Sequence, residues 1–443
     1  MSGHSGWPPH THAVIGAGPT GLAAARNLDK RGLPWTGYEL APGVGGLWDI
    51  SGPRSTVYDS AHLISSRTTT EFAELPMAPG VADYPSHREL LRYFNDFADH
   101  FGLREGFRFG TEVTQVVPEG DGWLVTSTEP DGTSRTERHA SVLVANGTLS
   151  EPAVPDLPGS FDGELFHTSA YKRAEVFAGK RVLIIGAGNS GCDIAVDAVH
   201  HAASVDISVR RGYYFVPKYL FGRPSDTLNQ GKPLPARIKQ AIDSRVLKLF
   251  TGDPVRFGFP KPDYKIYESH PVVNSLVLHH VGHGDIRVRP DIGRLDGDGV
   301  VFADGERAGY DVVVLATGYH LHYPFLDPGL IDWAGPGTGT APDLYLNIFP
   351  SSAPGLFVLG MIEASGIGWQ GRYEQAELVA GYLAARADRP ERARAFEEQA
   401  RGPRPDLSGG YHYLGLERMS YYVNKDAYRG AVRAATESLE APQ

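Results

Sequence analysis

Two six-residue stretches carry the clearest chemistry in the sequence: GAGPTG at 16–21 and GAGNSG at 186–191. Glycines at the first, third and sixth positions let a chain turn tightly, bring backbone N–H groups close to a pyrophosphate, and pack the next helix against the preceding strand. The phosphates then meet a helix N-terminus, where unpaired N–H groups and the dipole favour negative charge. Gly16, Gly18, Pro19, Thr20 and Gly21 form one candidate cradle, and Gly186, Gly188, Asn189, Ser190 and Gly191 form the other. A glycine triplet alone is a weak signal. Here each copy follows an apolar strand, opens a small-residue helix, and is followed about twenty positions on by a residue suited to a ribose.

Those later residues differ, and the difference assigns the ligands. Glu39 can accept hydrogen bonds from ribose hydroxyls and would repel a 2′-phosphate, which suits the adenosine of FAD. Arg210 and Arg211 offer charged, forked donors suited to the 2′-phosphate of NADPH.

To hold these groups the chain uses one plan twice. Residues 13–15 and 182–185 read as apolar strands before the glycine turns, and second strands follow, ending at Glu39 and near Arg210. Each copy continues with hairpin turns, Gly120-Asp121-Gly122 and Pro130-Asp131-Gly132 in the first and Asp296-Gly297-Asp298-Gly299 in the second. Apolar strands at 142–145 and 312–316 close the copies. This order predicts an α/β fold with two Rossmann-like domains, each a doubly wound parallel sheet with a β-meander. Ser86 and Glu89 have the spacing of a capping box that opens a helix. The second copy carries an insertion at about 213–285, rich in Pro and aromatics, with a helical pattern at 236–250. It either lines the substrate side or elaborates the surface.

At 443 residues the chain is long enough for two domains and a cofactor cleft. A hydrophobic fraction of 41% with 21% charged residues fits a folded globular enzyme. The net charge of −10 offers no attraction to nucleic acid or anionic lipid. No run approaches the length of a membrane span, and 1–10 do not read as a secretory leader, so the expectation is a cytoplasmic protein. Cys192 is the only cysteine, which excludes an internal redox-active dithiol and with it the disulfide reductases that share this two-dinucleotide architecture. The 17 histidines include pairs at 200–201 and 279–280, which read as surface residues, and no metal is expected.

Between the fingerprints lies FDGELFHTSAY, in which Phe161, Gly163, His167 and Tyr171 fit the FxGxxxHxxx(Y/W) signature. The chain thereby resembles the class B flavin-containing monooxygenases. Gly45, Gly46, Leu47 and Trp48 resemble that family's GGLW loop beside the flavin, and Leu315, Ala316, Thr317, Gly318 and Tyr319 its (F/L)ATGY strand end. The resemblance implies an NADPH domain at 171–324 inserted into an FAD domain made of 1–170 and 325–443, with the active site between them. It implies that Val113 meets the adenine side of FAD through its backbone, that Tyr171 belongs to the cofactor-binding set, and that the loop after Gly360 approaches the isoalloxazine. Family members usually present an asparagine near flavin N5 where this chain reads Leu63-Ile64-Ser65-Ser66. Ser65 therefore counts as a cofactor contact, and Ser66 becomes the catalytic candidate, with a hydroxyl in place of an amide.

The implied reaction uses NADPH and O2 to oxygenate a small-molecule amine nitrogen or sulfide sulfur through a flavin C4a-hydroperoxide. The alternatives are Baeyer–Villiger oxygenation of a ketone, against which Tyr171 counts because those enzymes usually carry tryptophan there, and an NADPH oxidase-like flavoenzyme. Family members are commonly dimers, so the resemblance allows a homodimer, while the sequence itself is silent on oligomeric state.

Overall fold

The computed structural model describes residues 11–229, 233–333 and 341–440, and the reading of 1–10 as no leader falls outside them. Two five-stranded parallel sheets form its frame. In the first the strand order is Leu356–Val358, Ser141–Val144, His12–Ile15, Trp35–Glu39, Phe107–Phe109. In the second it is Ile286–Arg289, Ser204–Ser208, Arg181–Ile185, Val312–Leu315, Glu164–His167. Both orders reverse beside the strand that feeds a glycine turn, which leaves a crevice beyond the carboxyl ends of the strands. The central strands of the second sheet carry continuous buried apolar runs, VLII after the exposed Arg181 and VVVL, because helices and meanders cover both faces.

Each fingerprint joins its central strand to a helix, Pro19–Lys30 in the first copy and Asn189–Val199 in the second. The sixth-position glycines are dictated by packing. A Cβ on Gly21 would lie 1.8 Å from the carbonyl oxygen of Gly16, and one on Gly191 would lie 2.0 Å from that of Gly186. Any side chain there would push the helix off the strand.

Ser86 and Glu89 close the expected capping box, and the helix His87–His100 buries Leu90, Tyr93, Phe94 and Phe97 against the first unit. The meanders follow the expected turns, with strands Glu112–Glu119, Gly122–Thr128 and Ser134–His139 in the first copy. The predicted helix of the insertion is Ala236–Thr251.

One strand falls on the other side of the expected division. Glu164–His167 precedes residue 171, yet it pairs in parallel with Val312–Leu315 as the edge of the second sheet. Leu157 and Phe161 pack against the same core, beside Leu295 and Phe302. The signature segment thus contributes an edge strand to the second sheet.

The first meander holds a buried histidine with a consequence for stability. His139 is 3% exposed, its Nε2 lies 2.9 Å from the Tyr38 hydroxyl, and burial lowers its pKa to about 4. A depressed histidine contributes stability that is complete above its unfolded value and is lost as pH falls toward the folded one. The expected loss between pH 6.5 and 4 is about 3 kcal/mol from this group. Urea unfolding should show it, and His139→Gln should flatten that part of the profile; an unchanged slope in the variant would remove His139 from the account.

Candidate active site

The crevices of the two sheets merge into one cavity of about 1070 Å³. Gly16, Gly18, Pro19, Thr20 and Glu39 line it from the first unit, with Gly46, Leu47, Trp48, Ser65 and Val113. Gly188, Asn189, Ser190, Gly191 and Arg210 line it from the second, and Thr317, Gly318 and Tyr319 from the strand end between the units.

The first cradle is shaped for close approach by a ligand. Gly46, at φ +57°, sets its backbone against Gly18, and a Cβ on Gly18 would lie 3.6 Å from the Gly46 Cα. Glu39 is buried at the end of its strand, where its two carboxylate oxygens accept the N–H groups of Ala17 at 2.5 Å and Ala41 at 2.7 Å. Burial pushes its carboxyl above the usual range against those backbone hydrogen bonds. The second cradle is held from the insertion, since Asn189 Oδ1 accepts the N–H of Val273 at 2.7 Å. Gly188 has nothing within 4 Å of an added Cβ, so the protein leaves that approach open. Neither Arg210 nor Arg211 makes a hydrogen bond or ion pair with a described residue. Both guanidiniums remain free for an anion. These features fit FAD at the first cradle and NADPH at the second.

Other expected residues sit elsewhere. Gly21 and Gly186 do not line the cavity: Gly21 packs its helix on Gly16, and Gly186 abuts Ala316 beyond the end of the neighbouring strand. Arg211 is half-buried outside the wall. Tyr171 is 1% exposed and packs between the units, stacked on Phe177 at 5.4 Å and tilted against Tyr58 at 5.5 Å. Its hydroxyl donates to Asp197 at 2.9 Å. His167 of the signature is buried too, edge-on to the Tyr319 ring at 5.1 Å.

Ser66 differs most from its expected role. It is 1% exposed and does not line the cavity; its hydroxyl donates to Asp226 at 3.0 Å and its N–H to the same oxygen at 2.7 Å. The physical reason is burial: a carboxylate brought in by the insertion needs donors, and Ser66 with Thr69 supplies them. Ser65 takes the place at the wall.

The insertion does line the cavity, through Val216, Leu220, Phe221, Asp226, Val246 and Leu247. Its aromatics serve both purposes, because Phe215 and Phe259 pack on one another at 4.9 Å as a small core. The loop after Gly360 also reaches the wall, contributing Glu363, Ala364, Ser365 and Gly366. Sequence reading missed Asp226, His270, Glu363, Arg372 and Arg418, all of which line the cavity. Only the position of Glu363 just after Gly360 could have hinted at any of them. Away from the cavity Cys192 is fully buried and donates to Ala187 O at 3.5 Å. The histidine pairs lie near the surface, where His280, His283 and Asp285 bring possible ligand atoms within 4.8 Å of one another.

The family model for flavin-binding monooxygenase-like proteins matches residues 10–400. The chain belongs to that family. It is similar to indole-3-pyruvate monooxygenase YUCCA8 of Oryza sativa subsp. indica, 30% identical over 325 residues that cover 70% of this chain and 76% of the relative. It is similar to flavin-containing monooxygenase 5 of Mus musculus, 30% identical over 379 residues, 80% of this chain and 69% of the relative. Among solved structures, the S-allyl-L-cysteine S-oxygenase of Allium sativum superposes with a TM-score of 0.67 at 23% identity, over 97% of this chain and 88% of that one. This flavin monooxygenase is therefore an enzyme that uses FAD and NADPH, and its reaction class is oxygenation of a heteroatom or a ketone. Among the described residues no helix is long and apolar enough to cross a membrane.

Proposed function

We propose that this enzyme transfers one oxygen atom of O2 to the sulfur or amine nitrogen of a small molecule. For a sulfide the balance is R2S + NADPH + H+ + O2 giving R2SO + NADP+ + H2O. When bound, FAD accepts the hydride of NADPH and activates O2, which is chemistry no side chain here supplies.

The chain's residues bind, orient and exclude water. Glu39 accepts the ribose hydroxyls of FAD, while Gly16, Gly18 and the N-terminus of Pro19–Lys30 receive its pyrophosphate. Thr20 and the Val113 backbone flank it, and Gly46, Leu47, Trp48, Ser65 and the loop after Gly360 surround the ring system. Gly188, Asn189 and Ser190 receive the pyrophosphate of NADPH, and Arg210 its 2′-phosphate. Thr317, Gly318 and Tyr319 lie between the two. Ser66 acts through Asp226, as a positioning residue. The same reading assigns Glu164–His167 to the NADPH unit, within an FAD unit built from both ends of the chain. It takes the protein as a cytoplasmic homodimer with no nucleic-acid partner.

The observation that favours a soft nucleophile over a ketone is Tyr171. Its hydroxyl is committed to Asp197 at 2.9 Å at the position where related Baeyer–Villiger enzymes usually carry tryptophan. The test supplies NADPH, isotopically heavy O2 and either methyl phenyl sulfide or cyclohexanone. The expected product is sulfoxide carrying one heavy oxygen. Lactone without sulfoxide would overturn the choice, and H2O2 equal to the NADPH consumed, with neither product, would make the enzyme an oxidase.

A further inference from the structure

In the cavity wall a polar cluster lies outside both dinucleotide cradles. Glu363, on the loop after Gly360, forms an ion pair with Arg418 at 3.3 Å. Arg372, on the long helix Gly368–Asp388, directs its guanidinium to the carbonyl oxygens of Gly368 and Ile362, both at 3.0 Å. Those carbonyls satisfy its donors without neutralising its charge. His270 comes from the insertion; its Nδ1 lies 3.1 Å from the Tyr422 hydroxyl, and its Nε2 is buried without a partner. All four side chains belong to residues that line the cavity.

The charges in this cluster do not cancel. Two guanidiniums face one carboxylate, and burial with Arg418 nearby lowers the His270 pKa to about 3, so the imidazole is neutral at ordinary pH. Glu417, the other acidic residue on this segment, is engaged by the His320 ring at 2.6 Å. Although Arg418 is paired, 45% of its side chain remains accessible, and the residue lines the cavity. An unbalanced cation in a partly desolvated wall attracts an anion far more strongly than one in water. Val246, Leu247, Ile266, Leu416 and Met419 line the same cavity and give it apolar surface.

We propose that Arg418 and Arg372, with the free His270 Nε2 beside them, form an anion subsite that takes the carboxylate of a small apolar substrate. The proposal deepens the oxygenation reading and rests on it: the carboxylate end is anchored here and the sulfur or nitrogen end is presented to the cofactors. Arg418 supplies forked donors to the carboxylate, while Glu363 limits how tightly an anion is held. His270 Nε2, as the acceptor or donor its tautomer allows, either faces a protonated carboxyl or completes the set of donors.

The test compares a (methylsulfanyl)benzoate with the matching benzamide, which has the same sulfur and ring but no charge. The acid is expected to have the higher kcat/KM by about tenfold or more, through KM. Arg418→Met should lower the acid's kcat/KM by about tenfold more than the amide's. Glu363→Gln should move it in the opposite direction and favour the acid by severalfold, which lost folding cannot imitate. Equal kcat/KM for acid and amide, unmoved by either variant, would overturn the subsite while leaving sulfur oxygenation intact. If neither compound is oxygenated, the bound flavin spectrum is titrated with benzoate and benzamide: a response to benzoate alone, weakened in Arg418→Met, keeps the subsite and removes the oxygenation reading. No response to either removes the subsite.

Discussion

Gly188→Val is expected to give a yellow, folded protein whose flavin NADPH no longer reduces at a useful rate. The backbone at Gly188 has φ −71° and ψ −178°, which valine adopts without strain, and an added Cβ meets nothing within 4 Å. The protein therefore tolerates the side chain. The ligand would not, because the open space before the helix Asn189–Val199 is where the pyrophosphate of NADPH has to lie against backbone N–H groups. Loss of two charge-assisted hydrogen bonds costs about 3 to 6 kcal/mol, or a fall of roughly a hundredfold to ten-thousandfold in the efficiency of reduction. Anaerobic stopped-flow bleaching by NADPH measures this, with dithionite as the control that the flavin itself is intact. Gly191→Val supplies the contrast: its Cβ would lie 2.0 Å from the Gly186 carbonyl oxygen, so unfolding of the second unit should accompany loss of reduction. If Gly188→Val were reduced by NADPH as fast as the parent, the second cradle would not hold the reductant.

These two glycines also mark what could be read before any coordinates. Whatever depends on contacts within a few residues was legible: both strand–turn–helix units, the capping box at Ser86 and Glu89, the two-residue turn at Gly120-Asp121, and the insertion helix. Each follows from a local steric or hydrogen-bonding rule. What was not legible depends on segments far apart in the chain. Glu363 and Arg418 are separated by 55 positions and meet only because the C-terminal segment pairs with the loop after Gly360. Asp226 meets Ser66 across 160 positions, and no spacing rule relates an insertion to the loop it touches. That contact is why the hydroxyl expected at the flavin faces a carboxylate instead. The edge strand Glu164–His167 was hidden for a similar reason. With four residues, two of them exposed, it lacks the apolar run that marked its neighbours, and it becomes a strand only because Val312–Leu315 offers it a partner.

The coenzyme preference gives the second large effect, because it rests on a charge with no hydrogen-bond or ion-pair partner among the described residues. Arg210 lies in the cavity wall just beyond the strand Ser204–Ser208, and no carboxylate of the described residues pairs with it. A phosphate on the 2′ position would gain charge-assisted hydrogen bonds worth about 1.5 to 3 kcal/mol, and NADH would gain none. Arg210→Ala is therefore expected to raise the KM for NADPH by roughly ten- to a hundredfold and to leave that for NADH nearly unchanged. Arg211, half-buried and outside the wall, should matter less when replaced in the same way. Added salt should erode the preference of the parent enzyme, since an accessible guanidinium is screened, and should do little to the variant. Steady-state kinetics with both coenzymes decides the point. An equal loss with NADPH and NADH would mean that Arg210 supports the fold of the cradle and does not read the phosphate, and the assignment of the second fingerprint to NADPH would then rest on Arg211 or on neither.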